Sequence, residues 1–126
     1  MKLGYTILYV ADVRASVQFY EQAFGLTLKF MDESASFAEL DTGSTSLAFC
    51  SRALLQQLGK TPAAPQLKAP CFEIALVTED VPAAMARAVG AGAQALQEPQ
   101  RMEWGQTVAY VADPEGFTVE LCTPMG

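Results

Sequence analysis

The sequence predicts an α+β fold made of one unit used twice: a strand, a helix and three strands, then the same order again. Two observations carry this reading. The pattern restarts after residues 60–69 (KTPAAPQLKA), a stretch with two prolines and little periodicity that reads as a linker. Matching positions also recur at fixed spacing. Ile7-Leu8 answers to Ala75-Leu76 and Asp12 to Asp80, both 68 residues on, while Ala48 answers to Glu120 and Cys50 to Cys122, both 72 on. The expected organisation is one domain over 1–126, with module one at about 1–58, a linker at 59–70 and module two at 71–126.

The elements follow in order. Residues 3–10 (LGYTILYV) are β-rich and form the first strand, with Tyr5, Ile7 and Tyr9 on one face. Asp12 is a good N-cap, and Val13, Val17, Tyr20 and Phe24 mark the apolar stripe of a helix that stops at Gly25. Residues 27–31 and 36–40 read as strands, Asp41-Thr42-Gly43 as a turn, and 45–50 as the fourth strand. Residues 51–59 form a short helix. The second module runs through a strand at 71–78 and a helix at 80–89, with Pro82 tolerated in its first turn. Gly90-Ala91-Gly92 then stops the helix. A short strand at 93–97 and strands at 107–112 and 117–122 complete the set. Asp113-Pro114-Glu115-Gly116 is a turn signal, since Pro fixes one φ and Gly accepts a positive one. Beyond it Phe117, Val119 and Leu121 share one face, and Thr118, Glu120 and Cys122 the other. A carboxylate inside so apolar a strand is costly to bury unpaired. Either that face is open, or Glu120 has something to bind.

Composition narrows the chemistry. A chain of 126 residues with 51% hydrophobic and 17% charged content can bury a real core. The net charge of −6 and the lack of a basic stripe argue against nucleic acid and anionic membrane as partners. No basic-then-apolar segment precedes the first strand, no apolar run reaches spanning length, and three scattered cysteines make no disulfide framework. A cytoplasmic location is expected. The most decisive count is histidine, which is zero. That removes Ser-His-Asp and Cys-His catalysis and any imidazole metal site within the chain.

The stretches ILYVADVRASVQFYEQAFGL, IALVTEDV and WGQTVAYVADPEGFTVEL together resemble the vicinal oxygen chelate superfamily. That superfamily includes glyoxalase I, bleomycin-resistance proteins, fosfomycin-resistance enzymes and extradiol dioxygenases. The resemblance implies two tandem βαβββ modules forming a curved eight-stranded mixed sheet around a cavity, in a homodimer. It also implies a metal position on the first and last strand of each module, matching Tyr5, Ala48, Glu73 and Glu120 here. Ala48 has no ligand atom, and the Tyr5 phenol ionises only near pH 10. The two glutamates alone would make a weak, hard-cation site. The chain therefore reads most like the metal-free bleomycin-resistance members, with no cofactor favoured and a divalent metal on Glu73 and Glu120 kept as the alternative.

The candidate ligand-binding residues are Tyr5, Glu73, Trp104 and Glu120. Two close carboxylates should repel, so that one pKa rises toward neutrality. Trp104 is expected at the start of a strand beside Gly105, where its ring could stack on a flat ligand or be buried in a dimer contact. Cys50 and Cys122 are expected as small apolar fillers rather than nucleophiles. Phe30, Phe37, Phe49, Phe72 and Phe117 are assigned to core or cavity wall together. The function expected is a small-molecule binder that sequesters a cationic or planar compound such as an antibiotic. The competing reading is a glyoxalase-like lyase or a dioxygenase-type metalloenzyme on Glu73 and Glu120.

Overall fold

A computed structural model describes residues 1–125. The elements run β1 (Tyr5–Val10), α1 (Val13–Phe24), β2 (Thr27–Met31), β3 (Phe37–Asp41), β4 (Ser46–Ser51), α2 (Arg52–Gln57), β5 (Ile74–Val77), α3 (Val81–Gly90), β6 (Gln94–Arg101), β7 (Thr107–Ala112) and β8 (Thr118–Cys122). The strands form two four-stranded mixed sheets, ordered β1-β4-β3-β2 and β5-β8-β7-β6. This is the tandem βαβββ architecture that the repeat predicts.

The register repeats as well as the order. Ile7 pairs with Ala48 in the parallel β1–β4 ladder, and Ala75 pairs with Glu120 in the parallel β5–β8 ladder. These are the residues that the spacings of 68 and 72 bring into correspondence. The chain divides into two compact units, Met1–Glu21 with Gly25–Ala64, and Gln22–Phe24 with Pro65–Gly126.

In the first unit, β1 alternates strictly: Leu8 and Val10 are buried, while Tyr5, Ile7 and Tyr9 are exposed. Leu8, Val10, Leu40 and Phe49 form the helix-covered side with Val13, Val17 and Tyr20 of α1. The Tyr20 and Phe49 rings meet at 5.1 Å between centroids. The Asp12 carboxylate accepts from Ala15 N at 3.0 Å, and Gly25 ends the helix at φ 70° with its N–H on Glu21 O. Asp12→Ala leaves that first-turn N–H without its cap, and we expect a loss of about 1 kcal/mol in urea denaturation. An unchanged midpoint would show that the cap contributes nothing here.

In the second unit, Val81, Met85 and Ala88 of α3 are buried, as are Val111, Val119 and Leu121 of the sheet. The side chain of Asp80 caps α3 through Ala83 N, as Asp12 caps α1. Asp113 builds the turn into β8. Its buried Oδ1 accepts from the backbone N–H groups of Glu115, Gly116 and Phe117 at 3.0, 2.9 and 2.8 Å. Gly116 there holds φ +103°.

The main differences from the sequence reading lie in the second unit. β5 is four residues long rather than eight, since it pairs on one side only, with β8, from Ile74 to Val77. β6 is eight residues rather than five and runs through Pro99. An edge strand tolerates proline because one row of its N–H groups has no ladder to join, and β6 shifts register twice along its length. Trp104 stands in the turn between β6 and β7 rather than at a strand start, where Gly105 N donates to Met102 O at 3.0 Å. Among the described residues no helix is long and apolar enough to cross a membrane.

Candidate carboxyl site on the second sheet

The helix covers one face of the second sheet and leaves the other for polar side chains. Alternation puts Thr118, Glu120 and Cys122 of β8 on that second face. Directly opposite pairs put Tyr110 beside Glu120 and Val108 beside Cys122 on β7. On β5 the register carries Ala75 beside Glu120 and Val77 beside Cys122, both exposed. Glu73, one residue before β5, continues that alternation. The edge strand adds Gln97, which pairs with Tyr110.

The result is a polar row across the sheet. The Tyr110 hydroxyl donates to Glu120 Oε1 at 3.1 Å, and the Glu73 carboxyl stands where it can share a hydrogen bond with Glu120. Two carboxylates can make such a bond only if one carries a proton. The hydrogen bond to Glu120 is the main reason why the Glu73 pKa rises from 4.5 to about 7, with desolvation and the Glu120 charge adding to it. Glu73 is exposed, so water screens the repulsion and the shared proton matters most. Desolvation first, and then the Glu120 bond, push the Tyr110 phenol up to about 12, which keeps it a donor. Burial first, then Glu120, raises the Cys122 thiol, and burial raises Cys50 likewise. Both cysteines are buried and stay protonated, as small fillers do. The buried Thr118 hydroxyl, on the same face, has no hydrogen-bond partner among the described residues.

Trp104 is 61% exposed. Its indole N–H donates to Gln106 Oε1 at 2.7 Å, and Gln106 Nε2 donates in turn to Thr123 O at 2.8 Å, just past β8. With its one donor engaged, the ring has only its faces and edges to offer. Tyr5 lies in the first unit at the start of β1, 53% exposed, opposite Ser46 in the ladder.

The four positions that the resemblance marks for metal do not supply a donor set. Ala48 is a buried methyl group and Tyr5 a phenol, which leaves only the two glutamates as carboxyl donors. Among the described residues no group of three or more His, Cys, Asp or Glu could hold a metal ion. The residues present do not fit the family's metal centre.

Tyr110 was the residue that the sequence reading missed. Its signal was available: Tyr110 lies in the strand paired with β8, at even spacing from Val108 and Ala112. The pairing that sets it against Glu120 is a register, however, and the sequence does not print registers. The five phenylalanines also separate. Phe49 and Phe117 are core, Phe37 is half-buried, and Phe30 and Phe72 are exposed.

A family model described as the Glyoxalase/Bleomycin resistance protein/Dioxygenase superfamily matches residues 2–121. Among curated proteins the chain is 27% identical over 124 residues to the uncharacterized protein YraH of Bacillus subtilis, covering 96% of this chain and 97% of that one. It is 28% identical over 126 residues to a probable lactoylglutathione lyase of Vibrio cholerae, covering 95% and 88%. Among solved structures, a glyoxalase-related enzyme from Fulvimarina pelagi superposes with a TM-score of 0.84 at 23% identity, covering 98% of this chain and 88% of that one. TioX from Micromonospora sp. ML1 superposes with a TM-score of 0.75 at 22% identity, covering 98% of each. These likenesses span the same two modules that the repeat defines, and the chain belongs to the glyoxalase/bleomycin resistance protein/dioxygenase superfamily.

Proposed function

We propose that this protein binds a small organic molecule without a metal, and that the molecule carries a positive charge, a planar ring or both. The observation behind this is the Glu73–Glu120 carboxyl pair with its Tyr110 donor on the open face of the second sheet. An acidic pair with a fixed donor beside it suits a ligand that brings its own N–H groups and charge. Trp104 adds a stacking surface on the same unit, and Tyr5 an aromatic contact on the first sheet's own face. Binding needs affinity alone, so a family metal position can hold alanine at 48 without loss. We propose in the same way that the chain works as a homodimer in the cytoplasm, in sequestration or drug resistance.

The direct test is titration of the metal-free chain with a panel of planar organic cations, followed by thermal stability and calorimetry. A saturable stabilisation by members of the panel supports the reading. No shift across the panel would sink it. Trp104→Ala should weaken a planar ligand by about fivefold, the size of one lost stacking contact of about 1 kcal/mol, and leave the melting temperature of the free protein unchanged. Unchanged affinity would remove Trp104 from the site.

A lyase of the glyoxalase type is the second reading. The likeness to the probable lactoylglutathione lyase favours it, as does a Glu73 carboxyl that titrates near neutral pH and so suits acid–base work. Turnover of a hemithioacetal, abolished by Glu73→Gln, would place it first. Elemental analysis after equilibration with Mn, Fe, Ni and Zn belongs beside that assay, and the binder reading expects no stoichiometric metal to be retained.

A further inference from the structure

The first sheet has an open face of its own, and its chemistry differs from that of the second. In the ladder, one row across it reads Ile7, Ala48, Glu39, Phe30. The neighbouring row reads Tyr9, Cys50, Phe37. Tyr5, Ile7, Tyr9 and Phe30 are 53, 43, 42 and 52% exposed, whereas Ala48 and Cys50 between them are buried. Large apolar side chains thus stand exposed on both edge strands, with Glu39 between them.

Glu39 is half-buried. Among the described residues its carboxylate accepts no hydrogen bond and makes no ion pair. The nearby cation Arg52 sends its guanidinium to Tyr9 O at 2.9 Å. A carboxylate flanked by Phe30 directly across the ladder, with tyrosines two strands away, suits one kind of occupant. Two strand spacings are about 10 Å. An anion would be repelled by Glu39, and a neutral ring would leave that charge without a partner. An organic ammonium satisfies the carboxylate by charge and the rings by cation–π attraction.

We propose that the open face of the first sheet is a binding site for an aryl- or alkylammonium compound, with its cationic head at Glu39 and Phe30 and its apolar body running toward Tyr5 and Tyr9. The proposal does not depend on the carboxyl pair of the second sheet. Glu39 gives the charge recognition, Phe30 the ring beside the head, and the β1 tyrosines the extent of the body. The site selects against carboxylates and phosphates.

The test is calorimetric titration of the whole chain with benzyltrimethylammonium, with benzyl alcohol as the neutral control. Glu39→Gln keeps the shape of the side chain and removes its charge. The expected result is a loss of about fivefold or more for the cation with little change for the alcohol, the size expected of one partly exposed charge contact. Phe30→Leu, which keeps an apolar group, should weaken the cation about threefold. Thermal melts confirm that both variants fold. Equal affinity of wild type and Glu39→Gln for the cation would overturn the site. So would a face occupied by a second copy: Phe30→Glu then turns a dimer into a monomer by sedimentation while no variant alters probe affinity. Loss of cation binding in Glu73→Gln and Glu120→Gln, with Glu39→Gln unaffected, would also overturn it and leave the carboxyl-pair reading standing. Loss in Glu39→Gln alone would do the reverse.

Discussion

Wild-type protein should bind an organic cation more tightly as pH rises from about 6 to about 8, by roughly tenfold, and Glu73→Gln should abolish that rise. The cause is the neighbouring Glu120 carboxyl, which raises the pKa of Glu73. With the Glu73 pKa at about 7, the pair carries one negative charge below that pH and two above it. Glu73→Gln fixes the pair at one charge, so its affinity at the higher pH should match that of wild type at the lower. Glu120→Gln should flatten the profile too, because Glu73 then loses the hydrogen bond that raises its pKa and titrates nearer 4.5. It also replaces the charged acceptor of the Tyr110 hydroxyl with a neutral amide oxygen. A wild-type affinity that does not move with pH would show that the pair does not meet the ligand.

The same shift has a consequence for stability, of known sign. The folded-state pKa of Glu73 lies above that of the unfolded chain, so the folded protein holds the extra proton. Its contribution is fully present below about 4.5 and is lost as pH rises through about 7. Wild type should therefore lose melting temperature across that interval relative to Glu73→Gln, which has no such proton. Parallel melting profiles for the two proteins would show that the shared proton is absent in solution.

Asp113→Ala should cost about 3 kcal/mol of folding stability, a fall of roughly 10 °C in melting temperature for a domain of this size. One carboxylate oxygen holds three backbone N–H groups in the turn before β8, and the side chain is buried. Removing it leaves those donors without their acceptor where water reaches poorly. Asp113→Asn keeps an oxygen in place without the charge, so it should lose about half as much. The strand that this turn launches carries Thr118, Glu120 and Cys122, so Asp113→Ala should also blur the pH profile of binding at a temperature where the chain is still folded. Denaturation by urea with unchanged midpoint for both variants would show that Gly116 and Pro114 make the turn unaided.

Much of the fold could be read in the residues because the local signals agree with one another. Asp12 and Asp80 are caps by side-chain chemistry. Gly25 and Gly116 hold positive φ as expected of glycine, and strict alternation along β1 divides Leu8 and Val10 from Tyr5, Ile7 and Tyr9. The limits of β5 and β6 were less legible. A strand ends where its partner ends, and Pro99 breaks a strand only if both its edges are paired. The site divides in the same way. Glu120 was visible as a lone carboxylate in an apolar strand, and Glu73 as a position that the family resemblance marks. Tyr110 and Glu39 were not, because each acquires its meaning from the residue across the ladder.

The sequence alone determined the two βαβββ modules, the positions that answer to one another in them, and the division of faces along β1 and β8. These depend on periodicity, caps and turns that span a few residues each. Tertiary structure decided that Glu120 raises the Glu73 pKa, that Tyr110 donates to Glu120, and that Glu39 has no partner among the described residues. Such properties depend on distances between strands far apart in the chain, and on how much water each carboxyl keeps once those strands have paired.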